Sequence, residues 1–245
     1  MIAAGRALAV KRPPQQDRAH QTRGRLLDVA GELLAEVGIE RISTNMIAAR
    51  AGLTPPALYR YFGDKYAVIE ALGRRLMDRQ NAVLEAWLVR HASVGIAAMA
   101  DHIGNLLTQN AAVTRAEPGA VWILRALHAS PQLVHVRLES HRHVTDRLTD
   151  ACALYLAGID REKLWSRLRL AVELGFATDE MLYEEDRISA EAALADVAAM
   201  LRFTMLDLAS LRSACGGGVR EGMSRSKRQE TSLSPTPPAS GRGVE

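Results

Sequence analysis

LTPPALYRYFGDK, residues 53–65, sets two prolines directly ahead of a Leu-Tyr-Arg-Tyr-Phe run. Proline cannot sit inside a helix, yet its missing N–H has no intrahelical partner in a first turn, so a pair of prolines marks a beginning. Pro55 pushes Thr54 into the extended conformation of an N-cap, and because Pro56 restricts Pro55 in turn, the cap falls at Thr54 or one residue on. Leu58 and Phe62, four apart, face inward. Gly63 ends the short helix, and Asp64 caps the next. Alternate residues on a helix stand about 200° apart, so Tyr59 and Tyr61 cannot both pack inward alongside Leu58 and Phe62. Tyr59, Arg60 and Tyr61 are therefore a polar and aromatic surface that so short a helix does not need for its own stability.

Upstream, Leu26, Leu27, Ala30, Leu33, Leu34 and Val37 recur at helical spacing from Thr22, and Gly38 stops that helix. Ser43 or Thr44 caps a second, two-turn helix carrying Met46, Ile47 and Ala51, closed by Gly52. Downstream, Lys65 opens a long helix through Ile69, Leu72, Leu76 and Trp87. The remaining chain predicts helices near 94–115, 119–129, 131–157, 161–183 and 189–212, divided by Pro118-Gly119, Ser130-Pro131, Gly158 and an acidic turn. No strand pattern competes, and aromatics at only 4% with abundant Ala and Leu favour an all-α fold. The expected organisation is a flexible arm at 1–17, a three-helix domain at 18–66, a larger helical domain at 67–212, and a disordered Gly/Ser/Pro-rich tail at 213–245.

Charge is divided unevenly. Residues 1–90 hold 14 Lys and Arg against 9 Asp and Glu, whereas residues 91–212 hold 12 against 16, so the front half is the one suited to a polyanion. Cys152 and Cys215 alone give no disulfide framework, no run approaches the roughly 20 apolar residues of a membrane span, and the opening residues lack the charged lead-in of an export signal. A cytoplasmic, nucleoid-associated protein without membrane partners is expected.

Two short helices joined by a Gly-containing turn and backed by a longer first helix are the plan of a helix-turn-helix, whose second member enters the major groove. Its groove-facing set is Thr54, Pro55, Pro56, Ala57, Tyr59, Arg60 and Tyr61, with Thr44 and Lys65 flanking to meet phosphates. Pro55, Pro56 and Ala57 offer only apolar contacts, which leaves Tyr59 and Arg60 for polar discrimination. Arg23 and Arg25 are in reach of the DNA backbone; Arg41 and Arg50 read as plain surface.

The span from Leu26 to Leu72, with T-x-x-I-A-x-x-A-G at Thr44–Gly52 and L-Y-R-Y-F-x-x-K at Leu58–Lys65, resembles the DNA-binding domain of the TetR family of bacterial transcriptional regulators. The resemblance covers about a fifth of the chain. It implies an all-helical homodimer on palindromic double-stranded operator DNA, with Thr44 and Lys65 on phosphates, and Tyr59 and Tyr61 on backbone or base. It also implies an effector cavity in the second domain, for which Met99, His102, Trp122, His128 and Trp165 are the candidate lining. Apolar stripes at Leu164, Leu168 and Val172, and at Leu194, Val197, Leu201, Met205 and Leu208, suit a four-helix dimer interface, where that family places it.

His135, His141 and His143 do not share a helix face at ligand spacing, so no metal is expected. No P-loop, G-x-S-x-G, H-E-x-x-H or C-x-x-C occurs, so neither a cofactor nor a catalytic site is expected. The expectation is a repressor released from its operator by an unidentified small molecule. The alternatives are an effector-independent regulator or activator, or a helical enzyme or interaction module with a vestigial head.

Overall fold

The computed structural model describes residues 14–208. Most of the expected arm, all of the expected tail and Cys215 lie outside the described residues. Ten helices follow one another: α1 (Pro14–Arg41), α2 (Thr44–Arg50), α3 (Pro55–Tyr59), α4 (Lys65–His91), α5 (Ile96–Asp101), α6 (Ile103–Ala116), α7 (Ala120–Ala129), α8 (Val134–Ala153), α9 (Arg161–Met181) and α10 (Ala190–Asp207). The described chain is all-α.

Local chemistry sets several of the boundaries. The Ser43 hydroxyl accepts from the Met46 amide at 3.3 Å, and the Asp64 carboxylate from the Ala67 amide at 2.8 Å, so α2 and α4 begin where their caps stand. α1 begins earlier than its apolar period suggests, because Pro14 and Asp17 suit a first turn. The helix expected over 94–115 is two helices: it breaks at His102, whose carbonyl accepts the Trp87 indole N–H at 3.0 Å. A tertiary hydrogen bond makes that break, which is why periodicity misses it. Likewise the 131–157 segment is helical only over Val134–Ala153, and Tyr155 beyond it donates its hydroxyl to the Ala92 carbonyl at 2.7 Å.

Two apolar cores share α4. Its first half, with Leu72 and Leu76, packs with Leu26 and Leu34 of α1, Ile47 of α2 and Leu58 of α3, and Ile123 and Leu127 of α7 complete that core. Its second half, with Leu84 and Trp87, packs with α5, α6, α8, α9 and α10. Any tilt of α4 is thereby felt in both cores.

The α6–α7 loop presses on α1. Gly119 stands at φ 74, and a Cβ built on it would lie 2.7 Å from Leu34 Cβ and 2.8 Å from the Gly31 carbonyl oxygen, so only glycine fits. Beside it the fully buried carboxylate of Glu117 receives the guanidinium groups of Arg75 and Arg79 from α4, while Arg75 also reaches Asp28 of α1 at 2.6 Å.

Candidate nucleic-acid interface and effector cavity

The short helix α3 is launched as its prolines dictate. Thr54 is extended (φ −82, ψ 152), Pro55 and Pro56 occupy the first turn, and the amides of Ala57 and Leu58 both donate to the Thr54 carbonyl. The Thr54 hydroxyl makes no capping bond. Leu58 and Phe62 anchor the helix in the head's core, Leu58 completely. Thr54, Pro55, Pro56 and Arg60 are exposed, Tyr59 is 51% exposed, and Ala57 is half-buried. Tyr61 packs partly against the core, so its ring offers less free surface than that of Tyr59.

Two of the flanking residues are tied into the scaffold. The hydroxyls of Thr44 and Tyr59 share a hydrogen bond at 3.0 Å, joining the first turn of α2 to the last of α3. The Lys65 ammonium donates to the Ile39 carbonyl at 3.2 Å, just past the Gly38 break, where the end of a helix presents unpaired carbonyl oxygens. An ammonium has three donors, so this bond leaves two. The Arg23 guanidinium lies over the Phe62 ring, 5.2 Å from its centroid. Arg50 is engaged in a two-pronged pair with Glu36, at 3.0 and 2.8 Å.

In the body, a cavity of about 60 Å³ lies between α6, α8, α9 and α10. Its walls are aliphatic, with Phe176 and Met205, and it carries Asn110 and Asp179 as polar groups. None of the five residues expected to line it does so. Met99 is fully buried in the core, exposed His102 stacks on His91 at 4.3 Å, and Trp165 donates to Asp146 at 2.7 Å. Trp122 lines a separate surface cleft of about 250 Å³ and His128 one of about 470 Å³ with Arg125 and Glu180.

The stripes expected at the dimer interface are corrected by burial. Leu164, Leu168, Val172, Leu194, Val197, Leu201, Met205 and Leu208 are all buried inside the subunit, and five of them, Leu168, Val172, Leu194, Leu201 and Met205, line the cavity. Their helices pack stripe to stripe within one chain, and the side chains left outside are Leu170 and Leu174 of α9 and Met200, Phe203 and Leu206 of α10. A readable signal was overlooked: the Leu164-Leu168-Val172-Gly175 stripe runs on to Asp179, and an acid on an apolar stripe is a polar group carried into a core.

Asp179 is buried, and the Thr114 hydroxyl donates to its carboxylate at 2.7 Å while receiving the Gln80 side-chain amide of α4 at 2.9 Å. Burial raises the Asp179 pKa above the usual carboxylate value, against the smaller opposing effects of Thr114 and Arg115. His141 is buried on the far side of Phe176, stacked on that ring at 4.0 Å with Nδ1 3.0 Å from Glu173. Desolvation lowers its pKa to about 4 despite Glu173, with Arg137 and Arg169 lowering it further. His135 faces Glu70 and His143 faces Glu85, so the three histidines have separate carboxylate partners, and no metal-holding group of three occurs among the described residues.

Comparison with known proteins bears on the head. The family described as bacterial regulatory proteins, tetR family, matches residues 26–72. The tetracycline repressor protein class D of Escherichia coli is 32% identical over 74 residues, which is 28% of this chain and 34% of that protein. The chain thus spans about a third of the length of that curated relative. Over the body the likeness is one of fold. A TetR-family regulator from Streptomyces coelicolor superposes with a TM-score of 0.53 at 23% identity, covering 75% of this chain and 97% of that one. A TetR regulator from a Rhodococcus species does so with 0.55 at 22%, covering 78% and 99%. The proline-launched α3, held beside α2, thus lies inside the span that matches the tetR family of bacterial regulatory proteins.

Proposed function

We propose that this protein is a sequence-specific DNA-binding transcriptional regulator, acting as a homodimer on palindromic operator DNA and released from it by a small molecule. The observation that carries the reading is the outer face of α3: Tyr59 and Arg60 stand in the open on a helix whose inner face is fixed by Leu58 and Phe62. Tyr59 and Arg60 read base edges, Thr54, Pro55, Pro56 and Ala57 approach the groove floor, and Thr44, Tyr61 and Lys65 meet the phosphates. The exposed apolar residues of α9 and α10 supply the pairing surface.

Release follows from the shared helix. Asp179 on the cavity wall holds Thr114, Thr114 holds Gln80 of α4, and α4 carries Arg75 and Arg79 to Glu117 and, through Arg75, to Asp28 of α1. A ligand that prefers one setting of α4 biases the spacing of the heads, by no more than its differential affinity for the two settings.

The test is selection of bound duplexes from fragmented genomic DNA, followed by titration against salt. A palindromic site is expected, with log affinity falling by about 0.9 per phosphate neutralised. Failure to enrich any duplex, or a slope near zero, overturns the reading.

A further inference from the structure

The polar end of the cavity has a definite sign. Asp179 is the only acid on its wall, Thr114 is its only hydrogen-bond donor, and no Lys or Arg forms an ion pair with it among the described residues. The Gln80 side chain turns its amide N–H to the Thr114 oxygen, whose proton has both Asp179 at 2.7 Å and the Asn110 carbonyl at 3.1 Å in reach. That orientation leaves Gln80 Oε1 buried without a partner, and Asn110 Oδ1, on the cavity wall one helical turn before Thr114, is also buried without one. The cavity wall thus carries an unmet acceptor, Asn110 Oδ1, together with the buried carboxylate of Asp179. A buried acceptor of this kind favours an occupant that brings a donor.

We infer that the cavity takes a small aliphatic amine, its ammonium group donating to Asp179 and Asn110 and its hydrocarbon body lying among Leu107, Leu148, Leu168, Val172 and Phe176. This rests on the reading of the cavity as the effector site and adds the ligand's chemical class. An ammonium supplies three donors to acceptors that lack them and a charge opposite to that of Asp179. A carboxylate ligand would bring like charge and further acceptors to the same place, and an alcohol would bring one donor without charge. The size of the cavity corresponds to about five water-sized groups, which a five-carbon chain approaches. Burial raises the Asp179 pKa, and an ammonium placed beside it favours the charged form.

The full chain is titrated calorimetrically at neutral pH with n-pentylamine, n-pentanol and pentanoate. The amine is expected to bind about tenfold more tightly than the alcohol, with pentanoate weakest. Asp179→Asn is expected to remove the amine's advantage and keep alcohol binding, which also shows that the variant folds. Val172→Phe, which fills the cavity, is expected to abolish binding of both. Equal or tighter binding of pentanol or pentanoate, or amine binding untouched by either variant, overturns the proposal. Repeating the titration on the DNA complex separates the two readings. Amine binding that leaves the DNA bound sinks the effector role and keeps the ligand class; release by pentanoate and not by the amine sinks the ligand class and keeps the effector role.

Discussion

Thr44 and Tyr59 meet hydroxyl to hydroxyl at 3.0 Å, so that the two helices of the head are joined at the surface and not only in its core. Because the bond is solvent-exposed, its net worth to stability is about 1 kcal/mol or less. Its larger effect is to orient the Tyr59 ring. Tyr59→Phe and Thr44→Ala are expected to leave the melting temperature nearly unchanged and to weaken operator binding modestly. Tyr59→Ala should weaken it by about tenfold or more. Fluorescence anisotropy on the selected operator, beside thermal melts, checks all three; full affinity in Tyr59→Ala would remove α3 from the interface.

Glu117 is a buried anion between two arginines. Glu117→Gln is expected to destabilise the fold by about 3 kcal/mol, since it leaves Arg75, itself mostly buried, without its principal counter-charge. Denaturant unfolding of Glu117→Gln, Arg75→Gln and the double variant measures the coupling. Additive losses would show that the cluster does not act as a unit.

Two glycines with similar backbone separate strain from crowding. Gly158→Ala, at φ 77 with nothing near the new methyl, should lose about 1 kcal/mol. Gly119→Ala, at φ 74 and pressed on Leu34, should lose at least twice that. Comparable losses in urea titrations would show that the α6–α7 loop yields freely.

His141 makes stability depend on pH. Its folded pKa, about 4, lies below the ordinary 6.5, so the unfolded chain binds more protons between those values. The contribution is fully present above pH 6.5 and is lost as pH falls towards 4, amounting to about 3 kcal/mol. His141→Phe should flatten the stability profile in that window. An unchanged slope in the variant would assign it to other groups.

On the proposed pairing through α9 and α10, charges on their outer faces should yield a monomer without unfolding the subunit. Phe203→Glu, at a residue 72% exposed, is expected to yield a folded monomer by analytical ultracentrifugation. Leu201→Ala, on the inner face, should instead lose about 2–5 kcal/mol of subunit stability. A Phe203→Glu protein that remains dimeric would move the interface elsewhere.

The head was legible residue by residue. Pro55 and Pro56 start α3, Ser43 and Asp64 cap their helices, and Gly38 interrupts α1, each through a neighbour only a few positions away. The body was legible as helices but not as surfaces. Met99 and Trp165 looked like pocket lining because large side chains at helical spacing suit a cavity as well as a core. Leu168 and Leu201 looked like a dimer seam because an apolar stripe carries no label for what covers it.

The sequence by itself determined where α2, α3 and α4 begin, since caps and prolines act within one turn of chain. Tertiary structure alone decided which stripe faces its own subunit, where Asp179 meets Thr114 and Gln80, and why the chain breaks at His102 for Trp87. Those partners stand 15 to 65 residues apart, and no local rule of periodicity or propensity encodes which of many apolar faces will close on one another.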